Sequence, residues 1–307
     1  DNVEYTRSGQ KALDRLVGNV LDLGIRDFTV ATPYLLRYLK ARDTSLRVKI
    51  SVFAQVGDVR KAKQWEDMGA DEIVLDSMLV NREFDRLKEI RNGVNIRLRL
   101  LVNNNCAYGC SLSPYHMNVL AAASRSAGRT GNLLVDYCYL HCTSQKLRDP
   151  AQYLIADWIR PEDLNRYEAV GYVDFKLAGR NMPTETIVLR VKAYTARRYD
   201  GNLLDIVQDF GQTRSDGFNP FSRGMGVRGW LQWIWNSAPL NIRSIKRLWS
   251  LSRKRGYFAS PKLKAPACVD NRALDGFLDE IIRMGGCRNR LCERCRFCHR
   301  TATKAVH

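Results

Sequence analysis

A chain of 307 residues is long enough to bury a large core, as one big α/β domain plus an appendage. No run of about 18 apolar residues occurs, which excludes a membrane-spanning helix, and the start lacks a basic-then-apolar secretion signal, so the cytoplasm is the expected compartment. The net charge of +17, from 49 Lys and Arg against 32 Asp and Glu, directs attention to anionic partners: nucleic acid first, then an anionic small substrate or an acidic protein surface.

In chain order, apolar runs bounded by turn signals predict strands at Phe28-Thr29-Val30-Ala31, at 48–53, at Glu72-Ile73-Val74-Leu75 and at 96–102. Amphipathic stretches lie between them. Ala12, Leu13, Leu16, Val17, Val20 and Leu21 recur at helical spacing, as do Tyr34, Leu35, Tyr38 and Leu39, and shorter segments follow at 59–68 and 84–90. Strands alternating with helices mean parallel βαβ units. Gly24-Ile25-Arg26-Asp27 and Gly69-Ala70-Asp71-Glu72 both read as a helix-ending glycine before the next strand, a repeat that suggests a (β/α)8 barrel. The doubly wound alternative lacks a Gly-rich dinucleotide fingerprint after any strand.

Downstream the pattern loosens. Pro161 is placed to open a short helix, 171–177 reads as a strand, and 183–199 reads as a helix with Ile187, Val188, Val191 and Tyr194 inward. Six or seven strands are expected to that point. A closed barrel needs eight, and the chain does not start with Met, so one or two βα units are expected to precede Asp1. From Gln212 to Ala267 there are eleven Lys and Arg but one acidic residue, with Trp230, Trp233, Trp235 and Trp249 interleaved. We therefore divide the chain into a TIM-like barrel domain, 1–205, and a basic, Cys-rich C-terminal region, 206–307. The Trp-bearing stretch suits an RNA grip through phosphate contacts and stacking, and equally suits a core or subunit contact.

Eight of the nine cysteines fall in two sets, Cys106/Cys110/Cys138/Cys142 and Cys287/Cys292/Cys295/Cys298. Clustered thiols in an intracellular chain point to metal ligation rather than disulfides. In the first set, two Cys-x3-Cys pairs are expected where strands end, at a barrel mouth shared with Asn103 to Asn105, Arg160, Lys176 and Arg180, which would bind an anionic substrate. Thiolates bind zinc or an iron–sulfur cluster, and the wide Cys-x3-Cys spacing suits a cluster. Four buried thiols acting as small hydrophobes are the alternative. A radical-type Cys-x3-Cys-x2-Cys site is excluded, because position 113 is Ser. His116, beyond Cys110, is a candidate proton donor or a structurally bonded helix residue. The second set contains a ferredoxin-like Cys-x2-Cys-x2-Cys run, which favours a second 4Fe-4S cluster, with zinc, and His299 as a ligand, as the competitor. Cys268 stands alone.

Taken together, Val102-Asn103-x2-Cys106-x3-Cys110, Tyr137-Cys138-x3-Cys142, Ile159-Arg160-Pro161-Glu162-Asp163-Leu164 and Phe175-Lys176-Leu177-x-Gly179-Arg180 resemble peptidase family U-32. So do Thr29-Val30-Ala31-Thr32-Pro33-x-Leu35, Ser51-Val52-Phe53-Ala54 and Asn81-Arg82-x-Phe84 upstream, and the tail from Cys287 is similar to the Cys-rich end of one branch. The resemblance covers roughly residues 10–200. It implies a TIM-like barrel whose Cys106, Cys110, Cys138 and Cys142 hold a 4Fe-4S cluster. It also implies oxygen-independent hydroxylation of a ubiquinone precursor or of RNA, with prephenate as hydroxyl donor. An iron–sulfur redox enzyme, served by an electron-donor protein, is the leading expectation, with His116, Lys176 and Arg180 as its catalytic residues. A peptidase, as the family name says, and a noncatalytic RNA-binding protein with structural metal sites are the alternatives.

Overall fold

A computed structural model describes residues 6–118, 137–179, 182–207 and 267–307. The chain divides into two compact units. The first comprises 1–80, 84–101 and 167–176, the second 81–83, 102–166 and 177–307.

The first unit is built on a parallel sheet of β1 (Asp27–Val30), β2 (Arg47–Ile50), β3 (Glu72–Val74), β4 (Arg97–Leu101) and β5 (Asp174–Lys176). Spatial order equals sequence order. Strands added one after another on the same side are the topology of a barrel, whereas a doubly wound sheet reverses order at its centre. The predicted strands therefore stand where expected, five of them among the described residues, in a mixed α/β fold of TIM-like kind. Closure into a barrel is not part of what these residues show.

Local chemistry sets the ends of the helices between these strands. Helix α1 (Arg7–Asp22) is capped by the Thr6 hydroxyl, α2 (Pro33–Arg42) by Thr32 with Pro33 in its first turn, and α3 (Val59–Asp67) by the Asp58 carboxylate. After α3, Gly69 turns the chain at φ 91°, as the repeated Gly-x-Asp pattern predicts. The strands place Ile50, Ile73 and Leu100 in the core without solvent contact. Charged pairs stitch them laterally: Arg99 to Glu72 across β3–β4 at 3.2 Å, and Arg97 to Asp174 across β4–β5. Of the apolar face expected on α1, only Val17 is buried.

The second unit is helical and irregular. Pro161 does open a short helix, Pro161–Asp163, continued by Leu164. The helix Thr184–Ala196 differs from expectation. Val188 and Val191 lie exposed, while Arg190 is buried and donates to the carbonyls of Asp205 and Val207. A long side chain that ends in hydrogen bonds took the inward place assigned to the valines. The chain's end folds back through paired backbone bonds between Cys268 and His307.

Candidate metal centre

The loop after β4 is held by one carboxylate. Asp157 is fully buried; its Oδ1 accepts the Cys106 N–H at 2.8 Å, its Oδ2 accepts the Asn104 amide at 2.7 Å, and its own N–H donates to the Cys106 carbonyl. The Asn81 amide donates to the Asp157 carbonyl at 2.6 Å, and Lys146 Nζ donates to the Asn105 carbonyl at 2.6 Å. Gly109 turns the loop at φ 66° between Tyr108 and Cys110.

Cys138 and Cys142 lie within the helix Tyr137–Arg148, a segment free of Gly and Pro. Four residues apart, they share one face of it. The strand expected to precede Cys138 falls outside the described residues. The helix meets the loop directly, through the bond from Lys146 to the Asn105 carbonyl. Burial pushes the Cys106 thiol well above its usual range, and Asp157 adds to this while Lys146 opposes it. Burial likewise raises Cys142, again opposed by Lys146 and reinforced by Cys110. Thus Cys106, Cys110 and Cys142 act on one another, and Cys138 is one turn from Cys142. Beside them Asn105 is fully buried, and both polar atoms of its amide lack a hydrogen-bond partner.

Several residues expected at an anion-binding mouth have other work. Asn103 is buried and exchanges two hydrogen bonds with Ala178, at 2.9 and 2.8 Å. Arg160 is buried and donates to Asn271 at 2.9 Å, to the Leu274 carbonyl, and to Asp275 at 2.6 Å, so it pins the C-terminal segment instead of facing substrate. Lys176 ends β5 opposite Leu101 and is half-buried. His116 is half-buried on a helical stretch over 113–118, its N–H bonded to the Leu112 carbonyl. Arg180 and the Trp-bearing basic stretch from Arg214 to Lys264 lie outside the described residues.

The second set gathers as well. Cys287, Cys292, Cys295 and Cys298 line one pocket together with His299, Met284, Arg290 and Phe297. Two residues that the sequence reading quoted or passed over without a role stand behind it. Arg82 is buried, donates to the Leu154 carbonyl at 2.6 Å, and lies 5.2 Å from the Trp158 ring and 5.4 Å from that of Phe277. The Glu83 Oε1 accepts the N–H groups of Cys287 and Arg288 and the Tyr108 hydroxyl, at 2.8, 2.9 and 2.9 Å. Tyr108 sits between Cys106 and Cys110, so Glu83 ties the two thiol loops together. Gly286 is required here: it adopts φ 86°, and a Cβ would meet Glu83 Oε2 at 2.5 Å. Burial pushes Cys298 up to about 11, with Arg82 opposing, and raises Cys287 in the same way.

Fold and site define a mixed α/β protein with a sequentially ordered parallel sheet and four C-terminal thiols that line one pocket. The model of peptidase family U32 matches residues 2–201, and the chain belongs to that family. It is similar to "Uncharacterized protease MJ1657" of Methanocaldococcus jannaschii, with 28% identity over 305 residues, 99% of this chain and 73% of the relative. Among solved structures it is similar to "The Structure of the U32 Peptidase Mk0906", at 23% identity and a TM-score of 0.43, covering 60% of this chain and 67% of that one.

Proposed function

We propose that this chain is an iron–sulfur enzyme of the U32 family in which Cys106, Cys110, Cys138 and Cys142 hold a 4Fe-4S cluster, and that it carries out an oxygen-independent hydroxylation or related redox modification. The observation that carries the reading is the buried Lys146, whose Nζ donates to the Asn105 carbonyl at 2.6 Å, because it joins the helix bearing Cys138 and Cys142 to the loop bearing Cys106 and Cys110. Buried thiols resist ionisation unless a cation compensates them, and a metal centre is such a cation. Four thiolates suit either tetrahedral zinc or a 4Fe-4S cluster, and the wide Cys-x3-Cys spacing of both pairs favours the cluster. The orphaned Asn105 amide offers further hydrogen bonds beside Cys106.

When bound, such a cluster supplies one-electron redox chemistry. The chain's own part is positioning: Asp157 fixes the Cys106 loop, while Lys146, nearly without solvent contact, sets a positive charge against the thiolates. Converting C–H to C–OH withdraws two electrons from carbon. With O2 excluded, a hydroxyl-bearing donor supplies the oxygen and takes the electrons, R–H + R′–OH giving R–OH + R′–H. The charge of +17 favours an anionic substrate, RNA or an anionic aromatic metabolite. Anaerobic purification with iron, sulfide and zinc assays tests the cofactor: Cys106→Ala should lose about four irons, and full iron in that variant overturns the assignment. Mass spectrometry for one added oxygen in RNA or metabolites from cells with and without the protein tests the reaction.

Peptide hydrolysis is the second reading, favoured by the family's name and by that of the relative from Methanocaldococcus jannaschii. The raised Cys106 and Cys142 thiols speak against a cysteine nucleophile, which needs its pKa lowered. Cleavage of a protein substrate by the purified chain, lost in Cys142→Ala, would replace the redox reading.

A further inference from the structure

We propose that the C-terminal pocket is a second metal site, in which Cys287, Cys292, Cys295 and Cys298 hold an iron–sulfur cluster and the buried Arg82 guanidinium stands as a fixed cation behind them. The site stands on its own geometry and does not depend on the reading of the first.

Four thiols lining one pocket form a donor set, and the surrounding chain is shaped to keep it. Cys292–Cys295 is a single helical turn, closed by Arg296 at φ 55°, and the next helix, Phe297–Ala305, carries Cys298. Cys287 is set by Glu83, whose carboxylate takes its N–H, and by Gly286, which lets the two backbones approach. Phe297 stacks on Phe277 at 5.1 Å, and Phe277 lies 5.8 Å from Trp158, so an aromatic wall backs the pocket. His299 completes the lining; its Nδ1 is buried without a hydrogen-bond partner, and its Nε2 lies 3.4 Å from Asp149.

Arg82 gives the site its particular character. A guanidinium is always charged, and burying it is costly unless anions or π faces answer it. Here the faces of Trp158 and Phe277 answer part of the charge and the Leu154 carbonyl takes one donor. The positive charge of Arg82 also acts on Cys287 and Cys298, opposing the effect of their burial. Four thiolates around an iron–sulfur core carry net negative charge, so the fixed cation stabilises the set, most in its reduced state, and raises the reduction potential. Arg82 is a positioning residue in this account, acting through Cys287 and Cys298. The Cys292-x2-Cys295-x2-Cys298 spacing is that of ferredoxin ligands, which favours a cluster over one zinc.

The test uses the full chain, purified anaerobically, with iron, sulfide and zinc counted per chain. The Cys287→Ser/Cys298→Ser double variant should fall from about eight irons to about four, and Cys106→Ser/Cys142→Ser should keep the four of the C-terminal site. Iron unchanged in the C-terminal double variant overturns the proposal, as does one zinc per chain that disappears in that variant while sulfide stays constant. Should the first reading be wrong, Cys106→Ser/Cys142→Ser keeps all its iron while the C-terminal loss persists. Arg82→Gln should keep its iron and shift one of two midpoints in a redox titration to more negative potential, with Arg82→Lys intermediate. Midpoints unmoved in Arg82→Gln refute the role of Arg82. If the C-terminal variant fails to fold, the remaining samples still decide: a Cys106→Ser/Cys142→Ser protein that holds no iron and no sulfide counts against the site.

Discussion

Asp157→Asn probes the first thiol loop with a change of almost no volume. In the native chain the two carboxylate oxygens accept the Cys106 N–H and the Asn104 amide, at 2.8 and 2.7 Å, in a place without solvent. In the variant one oxygen remains an acceptor and the new NH2 group confronts a donor. One charge-assisted bond is lost and one buried donor is left unpaired, which costs roughly 2–4 kcal/mol. A second effect has the opposite sign: the carboxylate contributes to holding the Cys106 thiol up, so removing it makes the thiolate easier to form. A bound metal centre already drives that ionisation, so the loss of loop geometry dominates. Thermal unfolding of anaerobically prepared protein should therefore show a Tm lower by roughly 3–6 °C, and iron bound by the first thiol set should fall. A variant that melts with the wild type and carries full iron would refute the idea that Asp157 organises this loop.

Arg160→Ala strips a buried guanidinium from Asn271, the Leu274 carbonyl and Asp275, and should cost about 3–5 kcal/mol. Limited proteolysis should then cut the segment after residue 267 faster, and an unchanged digestion pattern would count against the pinning role. At Asp163, burial pushes the carboxyl up from 3.8 to about 6. The folded protein thus keeps a proton that the unfolded chain has already released, and the stability this gives is complete below about 3.8 and lost as pH rises through about 6. Asp163→Asn, neutral throughout, should be more stable than wild type by about 1–2 kcal/mol at pH 7 after allowance for partial solvent access, and should lose that advantage near pH 4. Urea titrations giving the same difference at both pH values would contradict the shift.

Local signals carried much of the first unit. The runs at 28–31, 48–53, 72–75, 96–102 and 171–177 became β1 to β5 because short apolar runs between turn residues are a property of neighbouring positions. The same logic failed at 184–196, where Arg190 displaced the valines. Asn103 and Arg160 show a further failure. Polar residues after a strand were read as facing substrate, yet their partners, Ala178 and Asn271, lie 75 and 111 residues away. No spacing rule reaches that far.

By itself, the order of residues determined that strands and helices alternate in parallel units and that eight thiols stand in two sets of ligand spacing, since both are written within windows of a few residues. Tertiary structure alone decided which thiols meet and what surrounds them. Glu83 reaches Cys287 across 204 residues, Arg82 stands behind the second pocket, and Asp157 closes on Cys106 across 51. Those partners are selected when burial forces each polar group to find a hydrogen bond, a condition imposed by the folded interior and not by sequence neighbours.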